Sequence, residues 1–337
     1  MLEQMRSALA EISESYSDRR LHFCQLEVRS LEANAGVLAG SVLDDATLAG
    51  VLDCLAARFP AVSWDATAVE ILRGPAPKLM TVATTLTGLH AGPSFLSELL
   101  SQLLNAAEVE VLREDGRWRF VRQADGYLGW AYQPYLAAAP RPAATHIVCE
   151  PVSLLRSAAQ DDAALASRIL GGTAVQVATT KGSWGRLALA GGGEGWARLA
   201  DLRSLSALPV GEDERRAQIV ADAARFIGAP YLWGGCTAFG VDCSGFVQML
   251  YRLSGVTLPR DADMQCAAGR PVAPPFQPAD LLFFGESGGR RKITHVALSL
   301  GGRRIVHSSR SRNGVYEDDV QAVEHLRESF VAAVAFT

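Results

Sequence analysis

Three side chains in the C-terminal third of the chain have the types and spacing for nucleophilic catalysis: Cys243, His295 and His307. Cys243 ends a glycine- and polar-rich loop, and Phe246, Val247, Leu250 and Tyr251 follow it at helical spacing. The sulfur therefore falls at or just before a helix N-terminus. Unpaired backbone N–H groups and the helix dipole favour an anion there. A thiol so placed is a nucleophile that needs a base.

The base is expected downstream, where residues 293–309 read ITHVALSLGGRRIVHSS. Two strand-like runs, Val296–Leu300 and Arg304–Val306, flank Gly301-Gly302 and signal a hairpin. A loop of odd length with a bulge at a glycine would pair His295 directly with His307 on one face, with Cβ atoms roughly 4.5–5.5 Å apart. A loop of Gly301-Gly302 alone would send them to opposite faces. One imidazole orienting the other therefore predicts the first geometry. A Cys and two His could also hold a metal, but no CxxC or HExxH occurs, and Cys236 and Cys243 are too far apart for a zinc knuckle. No cofactor is expected. Cys24, Cys54, Cys149, Cys236 and Cys266 read as small buried hydrophobes.

The motifs GAPYLWGG (228–235), VDCSGFV (241–247), LPRDADMQ (258–265), PADLLFF (278–284), THVAL (294–298) and VHSS (306–309) occur in that order after a helix over 217–226. In order and spacing, residues 212–337 resemble the NlpC-type cell-wall cysteine peptidases, which have a papain-like core. The resemblance implies Cys243 as nucleophile, His295 as general base and His307 as the orienting third residue. It implies Tyr231 beside the nucleophile, with Asp242 and Ser244 helping to hold substrate and Trp233 and Asp242 lining the acyl side. The Cys243 backbone N–H with the Tyr231 hydroxyl would bind the oxyanion.

The rest of the chain must carry the elements around this site. Val109–Leu136 and Val175–Leu202 align with Trp184 standing 66 positions after Trp118 and with a second glycine-preceded Trp in each copy, Trp130 and Trp196. Self-similarity at a fixed period means two copies of one module, read here as small all-β barrels that resemble bacterial SH3-like domains. AAPRPAA (138–144) is the linker between them, and Gly74–Pro77 the linker before them. Gly92–Asn105, GPSFLSELLSQLLN, reads as a helical or irregular insert in the first copy.

In the three-domain subgroup of the same family, a Glu in an S-E-x-x-S-Q stretch binds the free amine of the substrate's first residue, and a Tyr in a DGYxGW segment lines that pocket. Those features map to Glu98 and Tyr127, with Tyr132 a competitor. On pattern alone Glu98 would be a solvated face residue. As a buried carboxylate it would bond an ammonium and reject a blocked amine.

Residues 1–75 read as a small α+β unit without a chemical motif: a helix over Met1–Tyr16, a strand in His22–Leu31, a helix over Asp44–Phe59 and a short strand Val69–Leu72. The whole is a multidomain α+β chain. A papain-like catalytic domain (212–337) follows two SH3-like barrels (78–138 and 145–205) and the N-terminal segment.

A net charge of −4 with dispersed Lys and Arg gives no reason to expect nucleic acid or membrane as a partner. Six cysteines without paired spacing suit a reducing compartment, and the N-terminal residues lack an apolar signal core. A cytoplasmic enzyme is therefore expected. The resemblance implies hydrolysis of the γ-D-glutamyl–diamino acid bond in free murein peptides that begin with an unblocked L-Ala. A wall-binding protein with a vestigial peptidase domain, or an amidase or acyltransferase on the same core, is the alternative.

Overall fold

The computed structural model describes residues 1–286 and 292–336, a mixed α/β chain with several separate sheets. It divides into two compact units. One holds Met1–Leu79 and Val109–Trp130, the other Met80–Glu108 and the described chain from Ala131 onward. No helix among the described residues is long and apolar enough to cross a membrane.

In the first unit the N-terminal apolar stripe forms the helix Leu2–Glu14, burying Met5, Ala8, Leu9 and Ile12. Asp44 caps the helix Asp45–Arg58 by accepting from the Thr47 N–H at 2.9 Å. Both helices share a core with a three-stranded sheet, in which Ala35–Val42 pairs antiparallel with Cys24–Glu32 and parallel with Ser63–Ile71. The last strand is longer than the run Val69–Leu72 read from sequence. Its N-terminal half is mixed in polarity, and only pairing with Ala35–Val42 extends it.

The internal repeat is kept strand for strand. Leu86–His90, Leu99–Leu104, Glu108–Asp115, Trp118–Arg122 and Leu128–Tyr132 recur 66 positions later as Val152–Arg156, Leu165–Leu170, Ala174–Lys181, Trp184–Ala188 and Glu194–Arg198. This corrects the reading of Gly92–Asn105: it is neither helical nor an insert. Residues 91–98 join two strands of a hairpin, and residues 157–164 join their counterparts with a loop of the same length. The run Leu-Leu-Ser-Gln-Leu-Leu fits a helical period as well as a buried strand; pairing with Leu86–His90 makes it a strand. The second copy closes around Val148, Leu155, Ile169, Val175, Leu187 and Ala197, with Trp184 buried under the Arg198 guanidinium.

The C-terminal sheet runs in the order Arg270–Pro271, Phe330–Ala335, Leu281–Gly285, Ile293–Gly301, Arg304–Ser309, Gly314–Asp319. The helix Cys243–Leu253 packs on Ile293–Gly301 and its neighbour Arg304–Ser309. All but one of its residues are buried, which is why its apolar pattern is so dense. Residues 287–291, between Leu281–Gly285 and Ile293–Gly301, lie outside the described residues.

Candidate active site

Cys243 is the first residue of its helix, and Asp242 is the N-cap, its Oδ1 accepting from the Gly245 N–H at 2.7 Å. The loop before it folds back on itself: the Gly234 N–H donates to Asp242 Oδ2 at 2.9 Å, and Tyr231 forms a parallel bridge with Val241. A Cβ on Gly245 would stand 2.2 Å from the Gly235 carbonyl oxygen, so the Cys-Ser-Gly turn requires glycine there for space.

Against the Cys243 turn lies a residue to which the sequence assigned no role. Arg260 is 2% exposed and bonds Asp242 Oδ2 at 2.6 Å, Asp242 Oδ1 at 3.1 Å, Ser244 Oγ at 2.9 Å and Ser101 Oγ at 3.2 Å. Burial opposes the guanidinium charge, and the Asp242 carboxylate overrides that opposition. Asp242 and Ser244, expected to help hold substrate, are both buried, and both Asp242 oxygens are engaged within the turn that carries Cys243. The only sequence signal for Arg260 was its place in LPRDADMQ. Asp261 occupies the N-cap position of Ala262–Ala268.

His295 and His307 are brought together, but not as expected. Leu298 pairs with Val306 and Ser299 with Ile305, with a bulge before Gly301. One step further along that register puts His307 opposite Ala297, so His295 is its diagonal neighbour on the same face. The rings meet at 2.7 Å between His295 Nε2 and His307 Nδ1. The bulge keeps both on one face, as the orienting role requires; it does not make them direct partners. His307 Nε2 in turn lies 2.9 Å from Asp318 Oδ2.

The backbone at Val296, next to His295, and at Ser244 favours the Cys243 thiolate. Burial, and then the Asp242 charge, push this thiol up to about 12. Burial, and then His307, push His295 down to about 3. Burial also lowers His307, against the pull of Asp318. Burial thus favours a neutral thiol beside a neutral imidazole at rest, the form in which a proton would pass to the ring only as the sulfur attacks. Alkylation of Cys243 by iodoacetamide is accordingly expected to keep rising between about pH 6 and 9, because the reacting thiolate is scarce below its pKa. A plateau across that range would reveal a preformed ion pair instead.

Tyr231 is half-buried, and burial, followed by the nearby Cys243, raises its phenol to about 12, so it stands as a hydrogen-bond donor near the sulfur. Glu98 is exposed rather than buried, and its Oε1 accepts from the Trp233 indole N–H at 2.7 Å. Trp233 is itself 58% exposed and sits in the loop that Asp242 anchors. Gln102 ties the same hairpin to the site loop, accepting from the Cys236 N–H at 3.0 Å. Tyr127 is buried in the compact unit that does not contain Cys243, its amide bonded to Asp125. Tyr132 packs at a tilt against Phe95, with ring centroids 4.9 Å apart, in the loop that carries Glu98.

The model of the NlpC/P60 family matches residues 228–334. A Bacillus subtilis protein named gamma-D-glutamyl-L-lysine dipeptidyl-peptidase is 39% identical over 116 residues, 34% of this chain and 39% of that protein. Its namesake from Bacillus cereus is 34% identical over 134 residues, again 39% of its length. The chain thus aligns with about two fifths of each of these relatives. Dipeptidyl-peptidase 6 of Lysinibacillus sphaericus aligns more widely, at 28% identity over 69% of this chain and 89% of that protein. Among solved structures, an NlpC/P60 family protein from Bacillus cereus superposes with a TM-score of 0.67 at 22% identity, over 77% of this chain and 99% of that one. The fold likeness therefore reaches beyond the matched segment. With a helix-borne Cys243 beside the strand of His295, and the motifs in order around them, residues 228–334 are a domain of the NlpC/P60 family, the papain-like cysteine peptidases.

Proposed function

We propose that this chain is a cysteine endopeptidase that cleaves the γ-D-glutamyl–diamino acid bond of free murein peptides with an unblocked N-terminal L-Ala, acting in the cytoplasm on recycled wall fragments. Cys243 Sγ attacks the γ-carbonyl carbon as its proton passes to His295. The backbone N–H at the helix start and the Tyr231 hydroxyl donate to the oxyanion. The C–N bond then breaks, and the His295 proton leaves with the amine. Water, deprotonated by His295, hydrolyses the thioester and frees the γ-carboxylate.

The observation that carries the substrate reading is the Glu98–Trp233 bond of 2.7 Å. It ties a carboxylate of the first β-module to the loop that presents the nucleophile. A free ammonium docked there gains a charge-assisted bond, and an acetylated one does not. The names of the aligned relatives agree with such a bond specificity. In this reading residues 78–138 and 145–205 are two SH3-like barrels that precede the domain 212–337, and residues 1–75 form an N-terminal α+β segment. The strand-for-strand repeat supports the pair of barrels. For the aromatic wall of the amine pocket, Tyr132 is better supported than Tyr127, because it packs on the Glu98 loop.

Hydrolysis of L-Ala-γ-D-Glu-diaminopimelate beside its N-acetylated twin tests this reading. The free peptide is expected to be cut about 10- to 100-fold faster, the scale of one hydrogen bond to a charged group. Glu98→Gln should erase most of the difference. Equal rates on both peptides would remove the amine pocket and point to action on intact wall, and no cleavage of either would favour a wall-binding protein.

A further inference from the structure

A carboxylate that the motif resemblance did not assign completes the line of side chains behind Cys243. The strand Gly314–Asp319 pairs with Arg304–Ser309 so that Tyr316 stands opposite His307 and Asp318 opposite Ile305. Asp318 is therefore the diagonal neighbour of His307 on one face, within reach of a side chain. Its Oδ2 lies 2.9 Å from His307 Nε2, and Arg312 Nη1 donates to its Oδ1 at 2.7 Å. Among the described residues, His325 on the short helix Glu324–Ser329 also acts on both imidazoles.

We propose that Asp318 is a positioning residue that dictates, through His307, which nitrogen of His295 is free to take the Cys243 proton. The proposal rests on the catalytic reading above. A carboxylate only accepts hydrogen bonds, so the proton of a neutral His307 must sit on Nε2. His307 Nδ1 is then an acceptor, and the 2.7 Å contact requires His295 Nε2 to be the donor. That leaves His295 Nδ1 bare and able to receive the thiol proton. As that proton arrives, the positive charge on His295 is spread toward His307 and met by the Asp318 carboxylate. Arg312 keeps Asp318 turned so that Oδ2, and not Oδ1, faces the ring.

This arrangement makes an unusual demand on substitutions. In Asp318→Asn, Arg312 would still hold Oδ1, so the amide NH₂ would replace Oδ2 and donate to His307 Nε2. Both imidazoles would then flip tautomer, and His295 Nδ1 would carry a hydrogen facing the sulfur. Asp318→Ala removes the acceptor but imposes no wrong tautomer. The isosteric change is therefore expected to be the more harmful one, the reverse of what a packing role would give.

The test is the rate of Cys243 alkylation by iodoacetamide in the full-length chain, followed by mass spectrometry of the Cys243 peptide. It is read alongside kcat and KM for the free tripeptide and a thermal melt. Relative to the unaltered chain, Asp318→Ala is expected to lower alkylation and kcat about tenfold and Asp318→Asn about 100-fold, the lower part of the range for general-base assistance. KM should stay unchanged, and Asp318→Glu, which restores an acceptor, should remain faster than Asp318→Asn. An Asn variant as fast as the unaltered chain, or milder than Ala, overturns the proposal. So does a parallel fall in melting temperature and rate across all three variants. His295→Ala separates the role of Asp318 from that of the base itself. If it alkylates like the unaltered chain, the catalytic reading itself fails. If it is slow while Asp318→Asn is not, only the role of Asp318 fails.

Discussion

Cys243→Ala is expected to abolish hydrolysis of the free tripeptide, with a loss of about 10⁴-fold or more, because removing a nucleophile removes the covalent path altogether. The melt should hardly move. The sulfur is buried in the core cluster with Val241, Phe246 and Val247, and its deletion leaves less empty volume than the loss of a branched side chain. His295→Ala should cost about 10²–10⁴-fold, the usual share of a general base. Substrate mixed briefly with the unaltered chain should show a mass adduct on Cys243 equal to the acyl fragment. Residual turnover in Cys243→Ala near that of the unaltered chain would mean that the nucleophile lies elsewhere. Cys236 would then be the first alternative to test, since it is buried in the same loop and hydrogen-bonded to Gln102.

The second large effect is expected at a residue that need not touch substrate. Arg260→Ala strands Asp242 as a buried carboxylate whose two oxygens have lost their guanidinium, and breaking a buried pair in this way costs about 3–5 kcal/mol. The chain has more than one compact unit, so a single unfolding transition is a poor measure. Hydrogen exchange at the amides of Cys243–Leu253 reads the loss locally. Arg260→Lys should recover little, because a single ammonium cannot bridge both Asp242 oxygens and Ser244. The double variant Arg260→Ala, Asp242→Asn is expected to cost less than the sum of its parts, since the charge is no longer left unpaired while the Asn oxygen still caps Gly245. Additive losses would show that Arg260 acts mainly through Ser101 and packing. Activity should fall together with protection, because the turn that loosens is the one that carries the nucleophile.

Much of the site was legible without coordinates because its signals are local. A cysteine between a glycine-framed loop and a dense apolar helix is a statement about adjacent residues. The 66-residue repeat was equally plain, since each copy carries its own turns and its own pair of tryptophans. What failed was local pattern that fits two structures at once. Leu99–Leu104 suits a helix or a strand, and only the partner strand chooses. The two histidines were placed on one face, but their register depended on where the bulge fell, a matter of one residue that shifts every partner along the ladder.

Asp318 and Arg260 were out of reach for a different reason. Asp318 lies in the acidic run Glu317-Asp318-Asp319, where nothing local distinguishes the member that points inward. The strand pairing alone puts it diagonal to His307. Arg260 is a basic residue in a short linker, and its meaning comes from a carboxylate 18 positions away and a serine 159 positions away. The sequence by itself determined which atoms could react, that a thiol would meet a helix start, and that two like modules would precede it. The tertiary structure alone decided what holds those atoms at their angles: an ion pair under the helix, a diagonal register behind the base, and a β-hairpin that brings Glu98 to Trp233. The division is physical. Nucleophilicity and helix capping are set within a few residues of chain, whereas the burial that makes an ion pair strong and a register unique exists only once distant segments have packed.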